Sequence, residues 1–245
     1  MSSFYTNIQL AGDTILYRGY EDGKPVSYRA NFAPTLYVLS RKQEDFRTLD
    51  GKYVSPIKFQ TAREARDFIK QYDGVEGFEV HGYERFVYQY IRQEFPGEVD
   101  YNINQMKIYA MDIEVQCENG FPNVEEAAEE MLSITIKDMV TKQYYCWATR
   151  EFEAPKGVET HIFWTEHEML NHFLEWWVQN TPDILTGWNV NLYDVPYIAR
   201  RVCRVLGEKW MKSLSPWNRA NEREVYVQGR KNYAYDISGV NILDY

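Results

Sequence analysis

Lys107-Ile108-Tyr109-Ala110-Met111-Asp112-Ile113-Glu114-Val115 decides how this 245-residue chain is read. Apolar and small residues dominate the stretch, which predicts a buried β-strand. Residues i and i+2 of a strand share a face, so Asp112 and Glu114 point the same way, about 7 Å apart along the strand. Two acids on one face of an otherwise apolar strand are destabilising unless they are paired or metal-bound. A two-metal phosphoryl-transfer site uses this arrangement, with carboxylates gripping cations about 4 Å apart. An edge strand that carries solvated acids is the plainer reading of the stretch taken alone.

Composition narrows the classes around it. Hydrophobic residues make up 44% and aromatics 16%, enough for a core and against disorder as the main state. No apolar run reaches the length of a membrane span. Met1-Ser2-Ser3-Phe4-Tyr5 has neither the basic nor the apolar region of a secretory signal. Cys117, Cys146 and Cys203 are odd in number and far apart, which fits free thiols in a reducing cytosol. His167 and His172 are five apart and do not share a helix face, so no histidine metal site is read. The net charge of −9 argues against a protein that simply coats nucleic acid. The charge is uneven, however. From Glu98 to Asp138 ten acids face two bases, and from Arg200 to Lys231 nine bases face three acids. An acidic metal pocket beside a basic strip for phosphates would look like this, and so would two ordinary solvated faces.

Alternating stretches at 4–10, 14–18, 26–30 and 35–39 predict one sheet of short strands, with a hairpin turn at Glu21-Asp22-Gly23-Lys24. Residues 40–60 read as loop. Thr61 with Glu64 is a capping box, opening a helix that buries Ala65, Phe68, Ile69 and Tyr72 and stops at Gly74. A small α+β domain ends near residue 100, after an aromatic-rich stretch around Tyr88 and Tyr90. Its aromatics are read as core, with base stacking as the alternative. After the organising strand comes the turn Gly120-Phe121-Pro122 and an acidic helical turn at 124–130. Strands at 132–137 and 143–147 pair antiparallel and open an RNase H-like sheet.

A second capping box, Thr165 with Glu168, begins a helix whose apolar face includes Met169, Leu170, Phe173, Leu174, Trp177 and Val178. Pro182 ends it, and residues 183–188 form a strand parallel to the first if the helix crosses over. The next helix runs from Val195 to Leu206. Asp194 before it is an N-cap by spacing, or a third metal carboxylate by its place at a strand end. Residues 224–237 form a hairpin turning near Gly229. The last residues, Gly239 to Tyr245, head into a new element, as if the sequence were cut within a domain.

Asp112-Ile113-Glu114 followed by Gly120-Phe121-Pro122 resembles the first exonuclease motif of family B DNA polymerases. Thr186-Gly187-Trp188-Asn189 with Tyr193-Asp194-Val195-Pro196-Tyr197-Ile198 resembles the second, N-x-x-x-[YF]-D. Phe4-Tyr5, Leu206-Gly207-Glu208-Lys209 and Ser238 to Tyr245 are similar to the replicative polymerases of T-even-like bacteriophages. The resemblance covers nearly the whole chain. It implies an α+β N-terminal polymerase domain over residues 1–100. An incomplete α/β RNase H-like 3′–5′ exonuclease domain would follow over 101–245. The function implied is a part in proofreading, hydrolysing the primer 3′ end during DNA replication. Asp112, Glu114 and Asp194 would be the catalytic metal ligands for two Mg²⁺, with Mn²⁺ as a substitute. Phe121 would wedge near a frayed primer end and Asn189 would help hold it. Tyr193 of the same motif, and Arg230 and Lys231 of the hairpin that parts primer from template, would touch DNA.

No tyrosine of this sequence has an aspartate four residues later, so the family's third motif, Y-x-x-x-D, is missing. Palm, fingers and thumb are missing too. The chain alone is therefore expected to be inactive. Its expected partners are single-stranded or frayed primer–template DNA, the remaining polymerase portion on a second chain, and other replisome proteins. No membrane is expected, and the cytoplasm of an infected host cell is the implied location. A regulatory nucleic-acid-binding module without catalysis is the alternative, and a free-standing nuclease is a third reading that the missing motif opposes.

Overall fold

Alternating apolar residues and tight polar turns form the first sheet: β1 (Ser3–Ala11), β2 (Thr14–Glu21) and β3 (Lys24–Asn31), antiparallel in that order. Asp22 and Gly23 both take positive φ, 49° and 77°, as a two-residue hairpin turn requires. The structure is a computed structural model describing residues 3–82, 84–117, 120 and 122–245. It divides the chain into two units, 1–101 and 102–245.

In the first unit, β4 (Thr35–Leu39) does not extend the first sheet as expected. Pro34 breaks the run, and β4 joins a second sheet of order β5-β6-β4-β7, with β5 (Phe46–Arg47), β6 (Tyr53–Lys58) and β7 (Val80–His81). The stretch 40–60, expected as loop, thus supplies two strands. Helix α1 (Ala62–Tyr72) starts where expected, with the Thr61 hydroxyl accepting from the Glu64 N–H at 3.1 Å. The Glu64 carboxylate accepts from Gln60 rather than Thr61, so the box is offset by one residue. The aromatic stretch at 86–94 is a helix, α2 (Phe86–Glu94). Phe86 and Tyr90, four apart, are buried, while Tyr88 faces solvent.

The second unit is a six-stranded sheet of order β11-β10-β9-β8-β12-β15. Its strands are β8 (Ile108–Val115), β9 (Met131–Asp138), β10 (Tyr144–Ala148), β11 (Val158–Ile162), β12 (Ile184–Gly187) and β15 (Asn241–Asp244). β8, β9 and β10 run antiparallel in turn, and β12 is parallel to β8, both as expected. β11, parallel to β10, has a mixed polar sequence, and the sequence reading missed it. The helical turn expected at 124–130 is a single turn over 124–126, closed by the Ala127 N–H donating to the Asn123 carbonyl at 2.8 Å, and it ends at Ala127 with φ 42°.

Helix α3 (Glu166–Asn180) carries the complete Thr165/Glu168 capping box. Its buried stripe is Met169, Leu170, Phe173, Leu174 and Trp177, but Val178 is exposed, because it lies off that stripe. α4 (Asp194–Val205) and the short α5 (Glu208–Lys212) follow, then the hairpin of β13 (Ala220–Val227) and β14 (Arg230–Ile237). Its turn residues Gln228 and Gly229 have φ 50° and 78°. Met111 of β8 packs with Phe173 and Trp177 of α3 and Val195 and Ile198 of α4. That packing holds the start of α4 beside the far end of β8.

Candidate active site

The alternation of β8 is strict. Tyr109, Met111 and Ile113 are buried, while Asp112 and Glu114 open to solvent on the other face. β12 pairs with β8 only from Ile108 to Ala110. Gly187 ends β12 so close to β8 that a Cβ there would stand 2.6 Å from the Met111 carbonyl oxygen. The chain then turns away through Trp188 and Asn189, whose φ of 55° suits asparagine better than most residues. Past this divergence β12 no longer pairs with β8, and on that side the Ile113 N–H donates to Asp194 Oδ1 at 3.1 Å. Asp194 is therefore not the helix cap that spacing favoured. Tyr193 occupies the cap position but its side chain does not cap the helix, Asp194 is the first helical residue, and its carboxylate reaches across to β8.

Asp194 is 3% exposed. Burial, and then the charge of Asp112, push its carboxyl up to about 7, against the pull of its own N–H and that of Ile113. Among the described residues no lysine, arginine or histidine pairs with Asp112, Glu114 or Asp194. The three acids, with Tyr193, Asn189 and Trp188, line one cavity of about 470 Å³ at the carboxyl ends of β8 and β12. Tyr193 is held neutral by burial and by the neighbouring charges of Asp194 and Glu114. Trp188, 77% exposed on the lip, belongs to the second motif but is not among the expected site residues. A large aromatic beside clustered acids was the available signal.

The donor chemistry fits a hard divalent cation, since oxygen ligands of like charge converge on a cavity without a counter-ion among the described residues. Their spacing is not yet that of a closed cage. No three His, Cys, Asp or Glu side chains among the described residues stand close enough to hold one ion together. A fourth carboxylate is close. Asp244 of β15 accepts from the Val190 N–H at 3.1 Å, anchoring the loop that leads to Asp194.

Of the expected DNA contacts, Asn189 and Tyr193 are at the cavity and Arg230 and Lys231 are not; Phe121 lies outside the described residues. Lys231 pairs with Glu224 at 2.6 Å on the hairpin. The basic strip is largely neutralised internally. Arg200 pairs with Glu222, Arg223 with Asp236, and Arg201 forms a buried bidentate pair with Glu166.

The sequence profile of the exonuclease domain of DNA polymerase family B matches residues 83–245. The chain belongs to the family B DNA polymerases. It is 29% identical to the DNA-directed DNA polymerase of Enterobacteria phage T4 and 26% identical to that of Escherichia phage RB69. Both alignments cover all of this chain and 30% of the relative, so the chain spans about a third of the length of those polymerases. A 50-residue stretch is 42% identical to the DNA polymerase catalytic subunit of rat cytomegalovirus, covering 20% of this chain and 4% of the relative. Among the described residues no helix is long and apolar enough to cross a membrane.

Proposed function

We propose that this cavity is the 3′–5′ exonuclease site of a proofreading DNA polymerase, hydrolysing the last phosphodiester of a frayed primer. The observation that carries this reading is the convergence of Asp112, Glu114 and Asp194 on one cavity without a cationic partner among the described residues. On this reading the second unit is an RNase H-like exonuclease fold, the first is the polymerase's N-terminal domain, and the protein works in the cytoplasm of an infected cell. Two Mg²⁺ held by Asp112, Glu114 and Asp194 would supply a water of lowered pKa and a Lewis acid for the leaving 3′-oxygen. The chain's own residues do the rest. Asp112 and Glu114 provide the open acidic face, and the Ile113 N–H fixes one oxygen of Asp194. Tyr193 and Asn189 border the space for the terminal nucleotide, and the exposed Trp188 ring can stack a base. The sequence lacks Y-x-x-x-D, so full hydrolysis depends on the larger polymerase, whose remaining portion is the expected partner.

Two measurements test this. Mn²⁺ titrated into the chain should give heat that disappears in the Asp112→Ala/Glu114→Ala double variant. A polymerase containing this segment should degrade a single-stranded primer to nucleoside monophosphates, and the same double substitution should abolish that. Undiminished degradation in the variant polymerase would overturn the assignment.

A further inference from the structure

We propose that the first unit binds a guanidinium group, such as an arginine side chain carries, in a cavity between the β2–β3 turn and the end of α2. The cavity holds about 220 Å³ and shares no residue with the one at Asp112. Its walls are of two kinds.

The first wall is aromatic. Tyr17 and Tyr28 oppose each other across the β2–β3 ladder and stack at 4.5 Å with 14° between their planes. Phe95, just after α2, continues the series, 6.4 Å from Tyr17 and only 3° from parallel. Tyr17 is 2% exposed, yet its hydroxyl has no hydrogen-bond partner among the described residues. Gly19 keeps room beside that hydroxyl: a Cβ there would stand 2.8 Å from it. Burial, followed by the charges of Tyr28, Glu21 and Glu94, raises the Tyr17 pKa, so the buried group stays a neutral hydroxyl able to donate or accept. Tyr28 is still 38% exposed, which leaves a ring open to an incoming group.

The second wall is anionic. Glu21 is the last residue of β2, Asp22 begins the hairpin turn, and Glu94 is the last residue of α2. None of the three has an ion-pair partner among the described residues. Carboxylates brought together without a counter-ion repel one another, and an organic cation relieves that repulsion. The aromatic wall selects which cation. A bare metal ion wants a closed shell of oxygens, and no such group of acids exists among the described residues. A planar, weakly hydrated guanidinium stacks on tyrosine faces while its in-plane N–H groups meet carboxylates at the rim. An ammonium is a strongly hydrated point charge that gains less from a ring wall.

The test titrates the intact chain with Nα-acetylarginine methylamide at low salt, by calorimetry and by NMR of labelled tyrosine rings. Saturable millimolar binding that shifts Tyr17 and Tyr28 is expected, with none for the uncharged citrulline counterpart. Glu94→Gln, at an exposed position, should weaken binding about fivefold without moving the melting temperature, and Tyr28→Leu should weaken it about fivefold as well. Equal binding of arginine and citrulline amides would overturn the proposal, and so would no saturation with arginine. Lysine amide or spermidine binding as tightly as arginine would show that the pocket reads charge alone, overturning the guanidinium assignment. The arginine–citrulline comparison uses the unaltered chain and holds even if a variant fails to fold.

Discussion

Asp194→Asn should make the metal-free protein more stable at alkaline pH, although it removes a carboxylate from the proposed active site. The asparagine oxygen can still accept from the Ile113 N–H, so the bond between α4 and β8 survives. What disappears is a buried charge. Burial, then Asp112, raises the Asp194 carboxyl from an ordinary 3.8 to about 7. Between those values the folded state holds a proton that the unfolded chain has released. Stability therefore falls as pH rises through that window, and above about 7 the whole penalty is present. At about 1.4 kcal/mol per pH unit the penalty is about 4 kcal/mol at most. Local relaxation and water entry reduce it to about 2–4 kcal/mol. The variant should therefore melt about 5–10 °C higher than wild type at pH 8, with the gap closing by pH 4. Circular-dichroism melts in a chelator, from pH 4 to 8.5, read this directly. Mg²⁺ should raise the wild-type melting temperature at pH 8 more than the variant's, because a cation offsets the same charge. A constant difference between the two proteins across the pH range would refute the reasoning, as would a variant less stable than wild type at pH 8.

Arg201→Met would leave Glu166 buried without its bidentate partner and remove bonds to the Ala127 and Ala128 carbonyls. Urea unfolding should show a loss of about 3–5 kcal/mol. Gly187→Ala places a methyl 2.6 Å from the Met111 carbonyl, so β12 must shift from β8. A loss of about 1–3 kcal/mol together with weaker Mn²⁺ binding by electron paramagnetic resonance is expected. Asp244→Ala frees the Val190 N–H and loosens the loop leading to Asp194. Mn²⁺ affinity should drop by about fivefold, the equivalent of one hydrogen bond of about 1 kcal/mol, and Asp244→Asn should restore it.

The sequence by itself determined the elements whose cause is local. Alternation fixed β8 and the facing of Asp112 and Glu114, because a strand's period of two is a covalent property of extended backbone. Paired capping residues fixed the start of α3, and Gln228-Gly229 fixed the hairpin turn, since both depend on residues within a few positions of one another. The ordered motifs around Asp112 and Asp194 were legible for the same reason. Local patterns assigned no element to the aromatics around Tyr88 and Tyr90, which form a helix that packs Phe86 and Tyr90 into the first core. Tertiary structure alone decided the role of Asp194. A cap and a cross-sheet acceptor look identical in sequence, and the difference is the divergence of β12 from β8 after Gly187, which leaves the Ile113 N–H for a carboxylate 81 residues away. It also decided the fate of the basic strip, because pairing of Arg200, Arg201 and Arg223 with Glu222, Glu166 and Asp236 depends on which surfaces meet. Charge along a chain is additive, but whether a charge is free for a phosphate is a property of its neighbours in space.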